Sequence, residues 1–428
     1  MVMEFNNLNQ NKAKLKNQGK KLGISPTAAY TTYYALILLK CLASKTFGEL
    51  VVKGSFSQHV HLKELTRPVL DIDLSSTGGL SIPLELLFSA ITSCHTKNLF
   101  YRPKRFDLTP NGVIKLSVDA CVFYPSGDLS YEIPSNTHFV VVNKDSDIML
   151  NLKNELAMVI PKNGRVEINP VEEVNMSVQK DAQIVVVSKN YTKRSLTKND
   201  QVVNITKDDI MFVIPKDHEL IVIPDEKQIA FVDKDNKITH VFENNRISIV
   251  PKEEQMTIPI NVDYKANNAV IFETQYKGVE PLFEGLDKFY INVPSFEEHL
   301  AEKLYIAIHC RRDDVLNTRV KDFYDIYQLH DKGYDPDKLT LYFQAMCKMY
   351  GEDIFSLDAD FLNDEYIEKH QEIWNNMQKK YEFVDKKLEF RTAVYYTRCV
   401  LNEQLERIMA GEMVEEAEYL VRKKKNNR

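Results

Sequence analysis

The sequence predicts an α+β protein, and three observations carry that prediction. Helical apolar spacing occupies residues 25–48 and 83–100, and it dominates the chain after Pro294. Isolated runs at 113–123 and 258–263 read as strands. Between them, residues 141–257 repeat in units of nine with the composition of short strands and turns. At 428 residues the chain exceeds one hydrophobic core, so two or three domains are expected. The composition shifts place the boundaries. Residues 1–140 form the N-terminal part of a mixed domain, 141–257 a β-rich insertion, 258–330 the remainder of that domain, and 331–428 a helical region.

From the N-terminus, the opening MVMEFNNLNQNKAK is polar where a signal peptide needs an apolar core. Lys12, Lys14, Lys16, Lys20 and Lys21, and at the other end Arg422, Lys423, Lys424 and Lys425, are basic clusters. They read as solvated, frayed termini, with contact to a phosphate backbone as the competing reading. The apolar run 33–43 is too short to span a bilayer and contains Lys40, so no membrane association is expected. A hydrophobic fraction of 44%, a charged fraction of 27% and a formal net charge of −6 describe an ordinary globular protein, not a uniformly basic nucleic-acid binder. Cys41, Cys94, Cys121, Cys310, Cys347 and Cys399 are scattered without a Cys-x-x-Cys pair, which fits reduced thiols in the cytoplasm. The histidines show no metal-ligand spacing, and His59 and His61 read as solvent-facing helix residues.

The array runs without insertion from Val141 through thirteen units, among them VIPKDHELI, VIPDEKQIA, FVDKDNKIT and HVFENNRIS. The fourth position is Lys in ten units, the fifth is Asp, Asn or Glu in all thirteen, and positions two and eight are apolar in eleven each. A β-branched pair, a Lys-Asp/Asn corner and a second apolar pair make one short strand and one turn. The constant length suggests stacked rungs, with a long antiparallel meander as the alternative. Corner glycines and calcium-roll aspartates are missing, which excludes a calcium-binding roll. The array is a structural spacer or a surface for an unknown partner. Beyond it, Ser295 is placed to cap a helix through FEEHLAEKLYIAIHCRR, and Pro336-Asp337 opens another.

The chemistry concentrates in two stretches. Gly54-Ser55 is followed by RPVLDIDL, in which Asp71 and Asp73 alternate along an apolar run and so project to one face of a strand. Such a pair either repels or holds a cation. A Gly-Ser turn that cradles a triphosphate, beside carboxylates that bind Mg²⁺, suggests nucleotidyl transfer of the polymerase-β type. The second stretch, AEKLYIAIHCRRDDVLNTRVKDFYDIYQL, sets Glu302, Lys303, Arg319, Lys321, Asp322 and Asp325 on helix-forming sequence. No Ser/His/Asp or Cys/His arrangement and no Gly-rich Gly-Lys-Ser/Thr loop is present.

Taken in order, these motifs resemble the AbiEii-type nucleotidyltransferase toxins of toxin–antitoxin and phage-defence operons. The resemblance covers about 15–100 and 258–400 and leaves the array outside it. It implies a polymerase-β-like nucleotidyltransferase core with an all-β nonapeptide-repeat insertion and a helical C-terminal region. It further implies that Gly54 and Ser55 contact the nucleotide phosphates, Asp71 and Asp73 bind the metal, Lys303 neutralises the triphosphate, and Asp325 positions Lys303 or the nucleotide. Glu302, Lys321 and Asp322 are secondary candidates. A third metal carboxylate comes from Asp263 or Asp119, with Asp263 preferred because the segment it opens leads to Lys303.

The implied reaction moves a nucleoside monophosphate from an NTP to an acceptor, with a tRNA 3′ end as acceptor and a separately encoded antitoxin as partner. The sequence departs from the family in the fifteen residues between Ser55 and Asp71 and in Val69, where Ser or Thr is common. Two alternatives stay open. One is adenylylation or phosphorylation of a protein side chain. The other is a non-enzymatic protein that works through its array.

Overall fold

The computed structural model describes residues 7–46, 49–76, 84–110, 112–133, 137–142, 148–152, 156–160, 167–170, 182–188, 190–196, 209–266, 271–309, 319–381 and 384–426. Among them are ten α-helices and three sheets, a mixed α+β architecture.

An eight-stranded mixed sheet forms the platform. Its strands run in the order Thr274–Val279, Phe289–Pro294, Leu50–Val52, Asp71–Ser76, Gln255–Lys265, Val113–Phe123, Leu99–Leu108 and His95–Thr96. Most neighbours are antiparallel, but Asp71–Ser76 lies parallel to Gln255–Lys265, and Leu50–Val52 to Phe289–Pro294. Helix Pro26–Lys45 covers one face. Pro26 needs no helical N–H partner at that position, and Ser25 Oγ accepts from the Ala28 amide at 3.3 Å, so the sequence starts the helix there. Its Ala29, Tyr33, Leu36 and Leu39 share one apolar core with Ile72, Leu74, Ile260, Val262 and Tyr264 of the sheet.

The second helical stretch is shorter than its apolar spacing implies. Helix Leu84–Thr92 ends early, and the chain enters strands at His95 and Leu99, where Leu99, Phe100 and Tyr101 are buried in the sheet. The first and last helices are packed, not frayed. Helix Leu8–Lys21 buries Leu8 and Leu15, and Asn11 Nδ2 donates to the hydroxyls of Tyr34 (2.7 Å) and Tyr124 (2.8 Å). Helix Val414–Asn426 packs Ala417 and Val421 into a small core with Ala345. In both helices the lysines crowd the solvent side and mask the apolar residues that dock it.

Cysteine usage also needs correction. Helix Pro26–Lys45 lies beside the end of Leu84–Thr92, which brings the Cys41 and Cys94 Cα atoms to 5.7 Å, and the two form a disulfide. Cys121, Cys347 and Cys399 are free thiols, and Cys310 lies outside the described residues.

The middle of the chain leaves the platform from strand Val113–Phe123 and returns on Gln255–Lys265. These strands are antiparallel neighbours, with Phe123 facing Gln255. Between them stand two further sheets. The five-stranded sheet is an antiparallel meander of Glu219–Ile223, Gln228–Val232, Ile238–Glu243 and Arg246–Ile249, closed by Ser130–Glu132. From Val213 to Ser248 the nine-residue period coincides with one strand plus one turn. The fourth and fifth positions fall at the connections, and positions two and eight are the buried Ile214, Leu220, Ile223, Ile229, Val232, Ile238, Val241 and Ile247. Asn244 and Asn245 both have positive φ (50° and 58°) in the two-residue loop between paired Glu243 and Arg246, which is what a tight hairpin requires. The seven-stranded sheet pairs antiparallel throughout, except where Ile210–Pro215 runs parallel to Thr137–Val142. Antiparallel hairpins, not stacked rungs, make up the described strands here. Several of the units expected between 141 and 209 lie wholly or partly outside the described residues.

A helical lobe follows, formed by Phe296–His309, Val320–Leu329, Pro336–Tyr350, Asp364–Lys380 and Phe390–Met409 around Phe323, Phe343, Trp374 and Phe390. Ser295 Oγ accepts from the Glu298 amide at 3.3 Å, and Asp335 caps the helix that Pro336 begins.

Candidate functional site

Strand alternation builds the acidic centre. In Asp71–Ser76, Ile72 and Leu74 point into the core, so Asp71 and Asp73 face the opposite side. The neighbouring parallel strand has the same phase, with Val262 and Tyr264 buried. Its register sets Asn261 beside Asp71 and Asp263 beside Asp73. Three carboxylates therefore share one patch of sheet. Burial, then the charges of Asp71 and Asp263, push the Asp73 carboxyl up to about 6, against the pull of Arg67 and Lys303. Asp263 is raised as well, first by burial, while Lys115 and Lys321 oppose the shift. Asp119 occupies the same strand face but sits opposite Pro259, and its carboxylate is held by Lys104 Nζ at 2.6 Å. Register therefore groups Asp263, and not Asp119, with Asp71 and Asp73.

The Gly-Ser stretch is the first turn of helix Gly54–Leu62. The Lys53 amide donates to the Asp73 carbonyl at 2.8 Å, and Gly54 follows with φ +62°. A Cβ at Gly54 would lie 1.9 Å from Asp73 Oδ2, so only glycine lets the backbone pass this close to the carboxylate. Ser55 is buried, and its Oγ has no hydrogen-bond partner among the described residues. His59 is buried too, and burial lowers its pKa. His61 is wedged between the Pro294 carbonyl (2.9 Å) and Lys277 Nζ (3.2 Å). Neither histidine faces solvent as its spacing had implied, because this helix is enclosed between the platform and the helical lobe.

The helical lobe contributes a cation network. Lys303 Nζ donates to Asp322 Oδ1 at 2.7 Å and to Asp325 Oδ2 at 2.8 Å, with all three side chains buried. Burial works against the Lys303 charge, but the two carboxylates prevail and raise its pKa; Asp322 is held below the usual carboxylate range by Lys303 and Arg319 in spite of its burial. Asp322 Oδ2 also accepts from Arg319 Nε at 2.8 Å. Glu302, one residue before Lys303, pairs with Lys53, one residue before Gly54, and so ties the lobe to the Gly-Ser turn. Arg67 Nε lies 3.1 Å from Asp325 Oδ1 and completes the circuit back to the strand that carries Asp71.

Arg67 and Lys53 received no role from the sequence. Each sits beside a motif, but in an irregular segment or a strand end where periodicity carries no signal. Val69, where Ser or Thr was expected, is fully buried, and its backbone is held by Thr32, whose Oγ1 donates to the Val69 carbonyl at 3.2 Å and accepts from its amide at 3.3 Å. A cleft of about 350 Å³ opens beside the acidic patch, lined by Asp71, Asn261, Asp263, Lys115, Ser117 and Arg105.

Three carboxylates on adjacent strands are hard oxygen donors of the kind Mg²⁺ takes. Burial, with the charges of Asp71 and Asp263 behind it, leaves Asp73 at about 6, and a bound cation would relieve the repulsive part. As the side chains stand, no group of three His, Cys, Asp or Glu among the described residues is placed to hold a metal ion. No helix among them is long and apolar enough to cross a membrane.

No curated protein matches the chain. Residues 215–395 match the family described as Nucleotidyl transferase AbiEii toxin, Type IV TA system. The matched span contains Asp263, Glu302, Lys303, Asp322 and Asp325 and stops short of the segment that carries Gly54, Asp71 and Asp73. Over residues 215–395, somewhat less than half of the chain, the protein is thus similar to the nucleotidyltransferase toxins of type IV toxin–antitoxin systems that make up the AbiEii family.

Proposed function

We propose that the protein is a Mg²⁺-dependent nucleotidyltransferase of the polymerase-β type. It transfers a nucleoside monophosphate from an NTP to an acceptor hydroxyl, in a toxin–antitoxin setting in the cytoplasm with a cognate antitoxin as partner. The observation that carries this reading is the register that sets Asp73 beside Asp263, facing the same side as Asp71, at the start of helix Gly54–Leu62. Asp71, Asp73 and Asp263 would hold the metal, and a metal bound there would supply Lewis-acid polarisation of the phosphate and charge neutralisation for the departing pyrophosphate. Gly54 and Ser55 present the positive end of the helix to the triphosphate, and the unpartnered Ser55 Oγ supplies a donor there. Lys303, held by Asp322 and Asp325, adds positive charge from the lobe side. The acceptor oxygen forms a bond to the α-phosphorus as the bond to the β-phosphate bridging oxygen breaks. Its proton passes to a carboxylate of the acidic patch or to solvent.

On the resemblance to the AbiEii-type toxins we take the acceptor to be a tRNA 3′ end. The test is incubation with Mg²⁺, each NTP labelled at the α-phosphate, and total tRNA or total cell protein, beside an Asp71→Ala/Asp73→Ala variant. Label in tRNA with the wild type alone is the expected result. Label in protein would reassign the acceptor to a side chain. No transfer by a folded wild-type protein would overturn the enzyme reading.

A further inference from the structure

The cations around the site are not equally committed. Lys303 is held by two carboxylates, Arg319 by Asp322, and Lys53 by Glu302. Arg67 makes one such contact, an ion pair of Nε with Asp325 Oδ1 at 3.1 Å, and its buried Nε has no hydrogen-bond partner of good geometry among the described residues. Its side chain is only 12% exposed. Solvent therefore gives an incomplete substitute for the missing partners.

Position adds a second argument. Arg67 precedes Pro68, which restricts it to an extended backbone, and Thr32 pins the backbone at Val69. The guanidinium is thus presented from a fixed segment. Its charge acts on Asp71 and Asp73 as well as on Asp325. A guanidinium stays charged at any working pH and offers a planar fork that matches two oxygens of a phosphate. A largely buried guanidinium that is incompletely partnered, beside carboxylates that repel one another, calls for a ligand that brings both a cation and oxyanions. A metal-chelated polyphosphate has that chemistry.

We propose that Arg67 is a nucleotide-binding residue, its terminal nitrogens forking onto one phosphoryl group while Nε stays anchored on Asp325. The assignment rests on the nucleotidyltransferase reading and adds to it a residue outside the Gly-Ser, Asp-x-Asp and Lys303 motifs. Lys303 then acts chiefly as the post that holds Asp325, and Asp325 orients Arg67.

The test measures equilibrium binding of a ribose-labelled fluorescent NTP with Mg²⁺ to the full chain, and displacement by inorganic tripolyphosphate and by the unphosphorylated nucleoside. A charge-assisted hydrogen-bond pair corresponds to a loss of about 10- to 100-fold. Arg67→Gln is expected to weaken the NTP and tripolyphosphate by that factor and to leave the nucleoside unchanged. Arg67→Lys, which keeps the charge and loses the fork, should lose about tenfold with its melting temperature unchanged, and it decides the matter if Arg67→Gln does not fold. Equal loss for the nucleoside, or an NTP affinity within about twofold of wild type in the folded variant, would overturn the assignment and leave Arg67 as a structural counter-charge. A folded wild type that binds none of the four NTPs would overturn the nucleotidyltransferase reading, and this assignment with it.

Discussion

Removing the charge of Asp73 should stabilise the protein. Its carboxyl is pushed up to about 6 by burial and by Asp71 and Asp263, roughly two units above the ordinary value of about 4. A raised carboxyl pKa means that the fold disfavours the ionised form. Below about pH 4 the group is protonated in folded and unfolded chains alike, and the site costs nothing. Between about 4 and 6 the unfolded chain ionises first, so stability falls as pH rises; above about 6 the penalty is complete. At about 1.4 kcal/mol per unit it reaches about 3 kcal/mol. Asp73→Asn imitates the protonated form and escapes it. Thermal or urea melts in EDTA should show variant and wild type alike near pH 4, a difference that opens up to pH 6, and a plateau of a few degrees by pH 8. Mg²⁺ with an NTP should then favour the wild type, which alone keeps its full set of ligands. A difference that does not change with pH, or a variant less stable at pH 8, would refute the claim that burial and the neighbouring carboxylates disfavour the ionised Asp73.

Three further substitutions probe the frame around that site. Gly54→Ala places a Cβ 1.9 Å from Asp73 Oδ2 at a φ of +62°, so the carboxylate must move. Transfer activity should fall by at least tenfold while strain lowers stability by about 1–2 kcal/mol, read by turnover and melting together. Lys303→Met leaves Asp322 and Asp325 without their shared partner. Urea unfolding should show a loss near the low end of about 3–5 kcal/mol, since Arg319 and Arg67 remain. Thr32→Val removes both hydrogen bonds to the Val69 backbone, at about 1–3 kcal/mol, and hydrogen exchange should rise at residues 67–73 more than elsewhere in the platform.

The parts of this architecture that local pattern controls were readable from the chain. Asp71 and Asp73 stand two apart in an apolar run, and a strand can send them only to one face. Ser295, Pro336 and the Lys-Asp/Asn corners mark element boundaries by chemistry that acts within four residues. Long-range register was not readable. Place along the chain favours Asp263 over Asp119, whereas what groups Asp263 with Asp73 is a parallel pairing that no local pattern announces. Arg67 escaped notice because it lies in an irregular segment, and its value depends on which neighbours are already paired. Surface charge misled the reading of both termini, since five lysines near the start conceal Leu8 and Leu15, two contacts that dock the first helix. The cysteines misled for a related reason. Cys41 and Cys94 are 53 residues apart, and only the packing of two helices brings them into bonding distance.

The hairpin formed by Val113–Phe123 and Gln255–Lys265 bears on how such a chain could evolve. Phe123 and Gln255 are paired, and the Tyr124 amide donates to the Glu254 carbonyl at 2.9 Å, so the intervening chain departs and re-enters through adjacent backbone positions. Closing a longer excursion across a gate already held shut costs only about 0.6 kcal/mol per doubling of length. Duplication or loss of nine-residue segments therefore leaves the partnership of Asp263 with Asp73 untouched. Relatives with arrays of very different size could keep the same chemistry, with selection on what the array touches proceeding independently of selection on turnover.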